Sequence, residues 1–437
     1  MADHPLKPEG YIPRIIDTQV ERYLSTFGAV EVAGTKWCGK TWTSLAHGTS
    51  VSYVDESVPL AESEPKLMLL GDKPHVVDEW QLVPSIWDEV RRAVDKERGL
   101  RGGWILTGSS TPRRKGGKEE NTRKHSGAGR IGQVRMSPMT LSESGESTAN
   151  VSLKALFEGE FEPQRTECSL EDVVEAACRG GWPEAIDLDS IRAQSIVREY
   201  LRVLFEESVS DQGLNGDTAR RLCASIARNL GEAATYKTMK IDMYGAEDDP
   251  DTFVTDGTVA TYLDLLKRMY VIEEIHGWAP ASRSRKRLAT KPKRYFADPS
   301  LAVAMLGMSA KGMYSDWRTF GLVFANLCMR DLLVYARSLE NIGFNPVRYY
   351  RDDSGLESDA IIELADGRWA AFEIKVSSAK VPKAAASLKR LKDKVVADNP
   401  KACVRPPEFM AVVTASSEYV YEIEEGIYVI PIQALTA

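Results

Sequence analysis

The feature that most constrains the fold is the eight-residue stretch GTKWCGKT, which runs from Gly34 to Thr41. It satisfies the pattern G-x-x-x-x-G-K-[ST] at every required position, and it follows the apolar run AVEVA. In a phosphate-binding loop the glycines let backbone N–H groups turn inward around phosphate oxygens. The stretch therefore predicts a strand, a phosphate loop and a helix within an α/β sheet of parallel strands.

The same pattern assigns roles within the loop. Lys40 is placed as a point cation for the β- and γ-phosphates, and the hydroxyl of Thr41 is placed to bind Mg²⁺. The other positions expected to contact a nucleotide are Gly34, Thr35, Lys36, Trp37, Cys38, Gly39 and Trp42. Since a Gly-rich turn can match the pattern by chance, partner residues elsewhere in the chain must decide the interpretation.

Two further apolar runs end in side chains that suit such partners. HVVDE ends in Asp78 and Glu79, and we expect Asp78 to bind Mg²⁺ and Glu79 to act as the base that polarises an attacking water. WILTGSS ends in Thr107, Ser109 and Ser110. We expect this strand to lie between the other two. Its hydroxyls, above all that of Ser109, would then be placed to sense a γ-phosphate. The alternatives are a solvated acidic turn and a plain polar strand end.

Arg130, in the stretch HSGAGR, is a candidate arginine finger. An arginine suits that role because it is always charged and can donate two parallel hydrogen bonds to a transferring phosphoryl group. It follows residues 111–124, a basic stretch free of apolar residues that we expect to be a mobile loop. An ordinary surface arginine fits the spacing equally well.

The hydrophobic pattern divides the chain into three regions. Short β-rich runs alternate with helical segments in 1–150, helices dominate 151–305, and a separate α/β unit occupies 306–437. Helices followed by a strand and a basic stretch in the middle region resemble a winged helix-turn-helix. The basic residues lie within 283–294 and suit contacts to a DNA backbone, although a solvated loop is the alternative. They are Arg283, Arg285, Lys286, Arg287, Lys291, Lys293 and Arg294.

The third region carries a second acidic pattern. Asp359 begins one predicted strand, and Glu373 and Lys375 lie two residues apart on the next, on one face of a hairpin. Two carboxylates can bind Mg²⁺ while a lysine polarises water or phosphate. This layout resembles the D…E-x-K core of restriction-endonuclease-like domains. A solvated strand face is the alternative.

Taken in order, these stretches resemble the widespread prokaryotic predicted AAA-superfamily ATPases, which join an AAA-type module to a C-terminal domain of unknown function. The later signatures RGGWPEAI, KPKRYFADPSLAVAML and FGLVFANLCMRDLL agree. The resemblance implies binding and hydrolysis of ATP through Lys40, Thr41, Asp78 and Glu79, with Arg130 at the family's Gly-Arg position. Trp37, Cys38 and Trp80 differ from the residues that are commoner at these positions in the family. Many family members carry a glutamate where this chain has Ala325, which counts against nuclease activity.

Composition limits the partners. The chain has 437 residues, of which 43% are hydrophobic and 27% charged, and its formal net charge is −7. These values predict a soluble, cytoplasmic protein, without a membrane partner, whose nucleic-acid contact, if any, is local. We expect an Mg²⁺-dependent ATPase coupled to a DNA-contacting C-terminal half. The alternatives are a slow ATP-dependent switch or scaffold for a protein partner and an ATP-assisted nuclease. AAA-type sites often lie between subunits, so a homo-oligomer is a further expectation.

Overall fold

The computed structural model describes residues 5–110, 125–245, 254–397 and 404–437. It divides the chain into two compact units, Met1–Pro138 with Leu266–Val271, and Met139–Leu265 with Ile272–Ala437. Apart from Leu266–Val271, the residues predicted as the second and third regions fall in the same unit. The basic loop predicted at 111–124 lies outside the described residues.

The first unit is built on a parallel sheet. Its strands are β1 (Ala29–Gly34), β2 (Ser50–Tyr53), β3 (His75–Asp78), β4 (Trp104–Gly108) and β5 (Ile131–Met136). Its helices are α1 (Asp17–Thr26), α2 (Lys40–Ala46), α3 (Val58–Ser63) and α4 (Ser85–Lys96). The strand order is β2-β3-β4-β1-β5, and every pair is parallel. Strand β4 thus lies between β1 and β3, as predicted.

The three central strands of this sheet, β1, β3 and β4, are buried along their whole length. All six residues of β1 are buried, and successive residues supply two different clusters: Ala29 packs on one face and Val30 on the other. The same alternation separates Val77 from Val76 on β3. Burial on both faces is typical of parallel sheets covered by helices. It leaves the carboxyl ends of the strands as the edge on which polar side chains can gather.

The second unit combines helices with a mixed sheet. Its helices are α5 (Leu153–Phe157), α6 (Leu170–Arg179), α7 (Ser190–Val203), α8 (Gly216–Arg228), α9 (Tyr236–Tyr244), α10 (Asp256–Arg268, whose last turn belongs to the first unit), α11 (Lys286–Ala289), α12 (Pro299–Met305), α13 (Ala310–Met313), α14 (Trp317–Ser338) and α15 (Val381–Ala397). Its strands are β6 (Val151–Ser152), β7 (Gln164–Arg165), β8 (Ile272–Gly277), β9 (Lys293–Phe296), β10 (Arg348–Arg351), β11 (Glu357–Glu363), β12 (Trp369–Lys375), β13 (Phe409–Thr414), β14 (Tyr419–Glu424), β15 (Ile427–Pro431) and β16 (Leu435–Thr436).

Nine of these strands form one sheet, in the order β7-β14-β15-β13-β12-β11-β10-β8-β9. Strands β10, β11 and β12 are antiparallel neighbours, and β13 lies parallel to β12. The predicted fold class, a parallel-sheet α/β domain followed by helices and a second α/β sheet, is therefore confirmed. The hairpin predicted as a wing is present as β8 and β9, but β8 also pairs with β10. It is thus the margin of the large sheet rather than a separate wing.

Helix α14 packs against α6, α12 and β12. By length and composition it could cross a membrane, yet 72% of its most apolar window is buried within the protein. Such burial is typical of the core helix of a globular domain. Ala325 lies on this helix.

A buried ion triad ties α14 to its surroundings. Arg330 donates to Asp298 at 3.0 Å and to Asp331 at 2.8 Å, and all three side chains are almost inaccessible. Asp298 also accepts from the backbone of Gly181, and Asp331 from the backbone of Leu141. Burial raises the pKa of Asp331 to about 6 despite the neighbouring guanidinium. The signatures RGGWPEAI, FADPSLA and MRDLL therefore meet in one structural network.

Replacing Arg330 by methionine is expected to destabilise the second unit by about 3–5 kcal/mol, because two buried carboxylates lose their counter-charge. Urea unfolding followed by circular dichroism measures the change. The control is Arg165→Met, which removes an exposed ion pair to Glu418 at 3.4 Å and should leave the midpoint unchanged. Equal midpoints for the two variants would show that the triad does not hold the unit together.

Candidate functional site

The predicted phosphate loop connects β1 to α2. A side chain at Gly34 would collide with the carbonyl oxygen of Met136, because a Cβ there would lie 2.2 Å away. Gly39 has φ of 100°, in the left-handed region that glycine adopts at little cost. The loop folds back on itself: Nζ of Lys40 donates to the carbonyl of Thr35 at 2.8 Å. Glycine is thus required at both ends of the motif for steric reasons.

The acid pair lies beside this loop. Oδ1 of Asp78 accepts from Oγ1 of Thr41 at 3.0 Å and from Oγ1 of Thr107 at 2.6 Å. Thr107 in turn accepts from the backbone N–H of Glu79 at 2.9 Å. The three strand ends predicted to meet therefore do meet. The two oxygens predicted as Mg²⁺ ligands, from Thr41 and Asp78, face each other and suit an ion that prefers oxygen donors.

Glu79 and Ser109 are joined through a residue that the sequence argument did not single out. The side-chain amide of Gln81 donates to Oε2 of Glu79 and to Oγ of Ser109, the second at 3.3 Å. Gln81 has room because Gly108 has no side chain: a Cβ there would lie 3.2 Å from its Oε1. The backbone of Glu79 is left-handed, with φ of 55°, which turns its side chain away from the course of β3.

Arg14 is a second residue that sequence reasoning missed. Its buried guanidinium donates to the carbonyl of Cys38 in the phosphate loop at 2.9 Å and to that of Ser137, just after β5, at 2.8 Å. It therefore holds the loop against the neighbouring strand. Its position before the first strand, remote from the motif, gave no signal. For Gln81, the only available signal was its place two residues after Glu79.

The three tryptophans in and near the site differ in their exposure to solvent. Trp37 and Trp42 are 43% and 47% exposed beside the loop, where a nucleotide can reach them. Trp80 is fully buried, lies against Trp87 with ring centroids 4.9 Å apart, and donates to Glu31 at 3.2 Å. It is therefore a core residue.

Arg130 lies far from the phosphate loop. It immediately precedes β5, whose first residue pairs with Ala29, whereas the loop begins after Gly34 at the other end of β1. Five residues of strand separate the two ends by about 17 Å. Its guanidinium donates to Asp95 at 2.7 Å instead. The chain therefore does not bring Arg130 to its own phosphate loop, and a finger role is left only toward a neighbouring subunit.

The second acidic pattern assembles as predicted. Nζ of Lys375 lies 3.2 Å from Asp359 and 2.5 Å from Glu373. Burial works to raise the pKa of Asp359, but the charges of Lys375 and Lys293 outweigh it and hold the pKa below its usual value. Burial, reinforced by the charge of Asp359, raises the pKa of Glu373 to about 7. The trio is a compact, largely self-neutralised charge cluster.

This cluster fits a metal ion poorly. The ammonium of Lys375 contacts both carboxylates, so it holds the place that a bridging cation would take. Ala325 has no side-chain oxygen to offer. Across the described ranges, no group of three His, Cys, Asp or Glu side chains is arranged to hold a metal. A site at Thr41 and Asp78 would therefore be completed by phosphate oxygens and water.

The basic segment 283–294 is only partly a surface. Arg287 pairs with both oxygens of Glu363, at 2.6 and 2.8 Å. The buried Lys293 and Arg294 pair with Glu357 and Glu274. The seven cations predicted to face a nucleic acid are thus reduced to four exposed ones. These are Arg283, Arg285, Lys286 and Lys291.

Two family models match parts of the chain. Residues 170–312 match a domain of unknown function, DUF8612, and residues 320–435 match another, DUF4143. No curated protein matches the chain. Among solved structures, it is similar to the Walker-type ATPase PABY2304 of Pyrococcus abyssi, with 14% identity, a TM-score of 0.41, and coverage of 69% of this chain and 97% of that one. It is also similar to the Aeropyrum pernix ORC1 protein in complex with DNA, with 14% identity, a TM-score of 0.27, and coverage of 70% and 96%. At these scores neither likeness bears on function.

Gln81→Leu is expected to lower kcat for ATP hydrolysis about tenfold, since Glu79 loses a hydrogen bond worth about 1–1.5 kcal/mol in orientation. ATP affinity should stay within about twofold, because Gln81 does not belong to the phosphate loop. Steady-state hydrolysis and a separate binding titration distinguish the two quantities. Gln133→Leu is the control, as its amide donates to Glu31 instead. Unchanged kcat in Gln81→Leu would rule out a positioning role.

Asp359→Asn is expected to lower the pKa of Glu373 from about 7, because a neighbouring negative charge is removed. Lys375→Met should raise it further, since the attracting cation is lost. Carbon NMR of labelled glutamate side chains, followed through a pH titration, measures both shifts. Asp366→Asn, in the exposed turn between β11 and β12, is the control. Shifts of the same sign in both test variants would contradict the charge assignment.

Proposed function

We propose that the first unit binds ATP with Mg²⁺ and hydrolyses it. The observation that carries this proposal is the meeting of Thr41, Asp78 and Thr107 at hydrogen-bond distance beside the phosphate loop. A G-x-x-x-x-G-K-T loop alone can arise by chance. Here an acid pair and a polar strand end lie beside the loop as well. Three separate stretches of the sequence therefore support the same site.

Each residue has a role in the proposed reaction. Lys40 binds the β- and γ-phosphates, and the loop backbone from Gly34 to Thr41 donates N–H groups to the phosphate oxygens. Thr41 and Asp78 hold Mg²⁺, which would supply neutralisation of the phosphate charge. Glu79 orients the attacking water and accepts its proton, and Ser109 donates a hydrogen bond to the γ-phosphate. Gln81, through its two hydrogen bonds, fixes the side chains of Glu79 and Ser109 relative to each other.

The finer parts of the proposal concern partners. We propose that the four exposed cations of 283–294 contact the phosphate backbone of DNA, and that nucleotide state influences this contact. Cleavage is the less favoured reading, since the ammonium of Lys375 already contacts both Asp359 and Glu373 and Ala325 offers no ligand. If Arg130 acts as an arginine finger, it does so on a second copy of the chain, which makes a homo-oligomer part of the proposal.

Lys40→Ala is expected to weaken ATP binding about 10- to 100-fold, because a charge-assisted contact to phosphate is lost. Glu79→Gln should keep ATP affinity while kcat falls about 100- to 10,000-fold, since the general base is lost. Calorimetric titration with ATP and Mg²⁺ and steady-state phosphate release measure the two effects.

Lys96→Ala, an exposed lysine at the end of α4, is the matched control and should behave as wild type. Wild-type protein that binds ATP but releases no phosphate, with or without DNA, would favour the slow switch over the ATPase. Wild-type protein that binds no ATP would overturn the proposed function.

A further inference from the structure

Two segments with exposed side chains meet beside the carboxyl end of β11. Arg287 of α11 pairs with Glu363, the last residue of that strand. The next residue, Leu364, forms a bridge with Ile342, and the backbone N–H of Ala365 donates to Asn341 at 2.7 Å. The loop between α14 and β10 and the basic segment around α11 therefore lie at the same place in the fold.

The basic segment is anchored rather than loosely attached. The guanidinium of Arg287 donates to the carbonyl of Ala279 at 2.7 Å and lies over the ring of Trp278, 5.7 Å from its centroid. Trp278 itself stacks in the core on Trp369 at 4.9 Å. The exposed cations on either side of Arg287 are thus carried by a fixed support, which limits the conformational entropy that they lose on binding.

The surface around this anchor is cationic and apolar together. We name it the basic–aromatic surface, and its members are Arg283, Arg285, Lys286, Leu288, Lys291 and Phe344. Leu288 is 90% exposed, and the side chain of Phe344 is fully exposed at 107% of its reference area. Of the cations, Lys286 contacts an acid, Asp353, at 3.5 Å. In a chain of net charge −7, this surface is a local exception.

A fully exposed phenylalanine among cations suits a ligand that offers both negative charge and flat apolar faces. Single-stranded nucleic acid offers both, because its phosphates bind Lys and Arg while its unstacked bases pack on aromatic rings. A duplex hides its base faces in the stack, so it can use the cations but not the ring. The chemistry of Phe344 therefore distinguishes the two forms of nucleic acid.

We propose that the basic–aromatic surface binds single-stranded nucleic acid, with phosphates on Arg283, Arg285 and Lys291 and an unpaired base stacked on Phe344. This inference rests on the proposed nucleic-acid contact of the basic segment and adds the form of the strand and the stacking residue. It requires no nucleotide hydrolysis, so it is tested separately from the ATPase.

The test is fluorescence anisotropy of the full chain with labelled 20-nucleotide oligo-dT, oligo-U and a duplex of equal length. Phe344→Ala is expected to weaken binding of the single strands about tenfold and to leave the duplex unchanged, since stacking of one base is lost. The double variant Arg283→Gln with Arg285→Gln should weaken binding of all three probes. For single strands, the slope of log affinity against log salt concentration should become shallower by about 1.4. Ile191→Ala, an exposed apolar residue on α7, and Lys383→Gln, an exposed cation on α15, are the controls and should bind as wild type.

Each other outcome has a defined meaning. Measured without nucleotide, Lys40→Ala should bind the oligonucleotides as wild type does. Phe344→Ala should hydrolyse ATP as wild type does when no oligonucleotide is present, so failure of one proposal is separable from failure of the other. Wild-type affinity of Phe344→Ala for single strands overturns the stacking inference, even if the Arg variants still lose binding. If Phe344→Ala instead loses sedimentation with anionic phospholipid vesicles and keeps oligonucleotide binding, the surface meets lipid and the inference is wrong.

Discussion

The carboxylate of Asp78 is the group on which the first unit depends. A single oxygen of this side chain accepts hydrogen bonds from Thr41 on α2 and from Thr107 on β4. These hydrogen bonds hold three elements that are distant in sequence next to one another at the carboxyl edge of the sheet. Hydrogen bonds to a charged, buried acceptor are worth about 1.5–3 kcal/mol each. The arrangement also places an oxygen of Thr41 beside an oxygen of Asp78 before any ligand binds.

The second unit also gathers acidic side chains, but there a lysine rather than hydroxyl groups contacts them. Asp78 is held by two hydroxyl donors, whereas Asp359 and Glu373 share the ammonium of Lys375. A cation entering the second pair would have to displace this ammonium. The raised pKa of Glu373 follows from the same crowding, because one ammonium does not fully compensate two buried carboxylates. Spacing alone cannot separate these cases, since both patterns place acids at the ends of apolar strands.

The sequence predicted those parts of the site whose cause is local. The loop needs glycine at positions 34 and 39 for steric reasons, and strand ends of a parallel sheet must meet at one edge, so the motif and its acid pair could be placed in advance. Gln81 and Arg14 could not, because their importance comes from contacts with Ser109 and Cys38 that only the fold creates. The wing was misplaced for a similar reason, as the pairing of β8 with β10 joins segments about 70 residues apart.

The basic segment shows why counting charges in a sequence overestimates a surface. Lys293 and Arg294 continue a run of cations that looks solvent-facing, yet both are buried in ion pairs with acids from other strands. Burial of a charge is tolerated only when such a partner is present, and the partner's position is a property of the fold. Leu288 and Phe344 show the converse, because they are apolar side chains that the fold leaves in solvent. Which cations are buried and which apolar side chains are exposed is a property of the fold, so the ligand of such a surface must be inferred from the side chains that remain exposed.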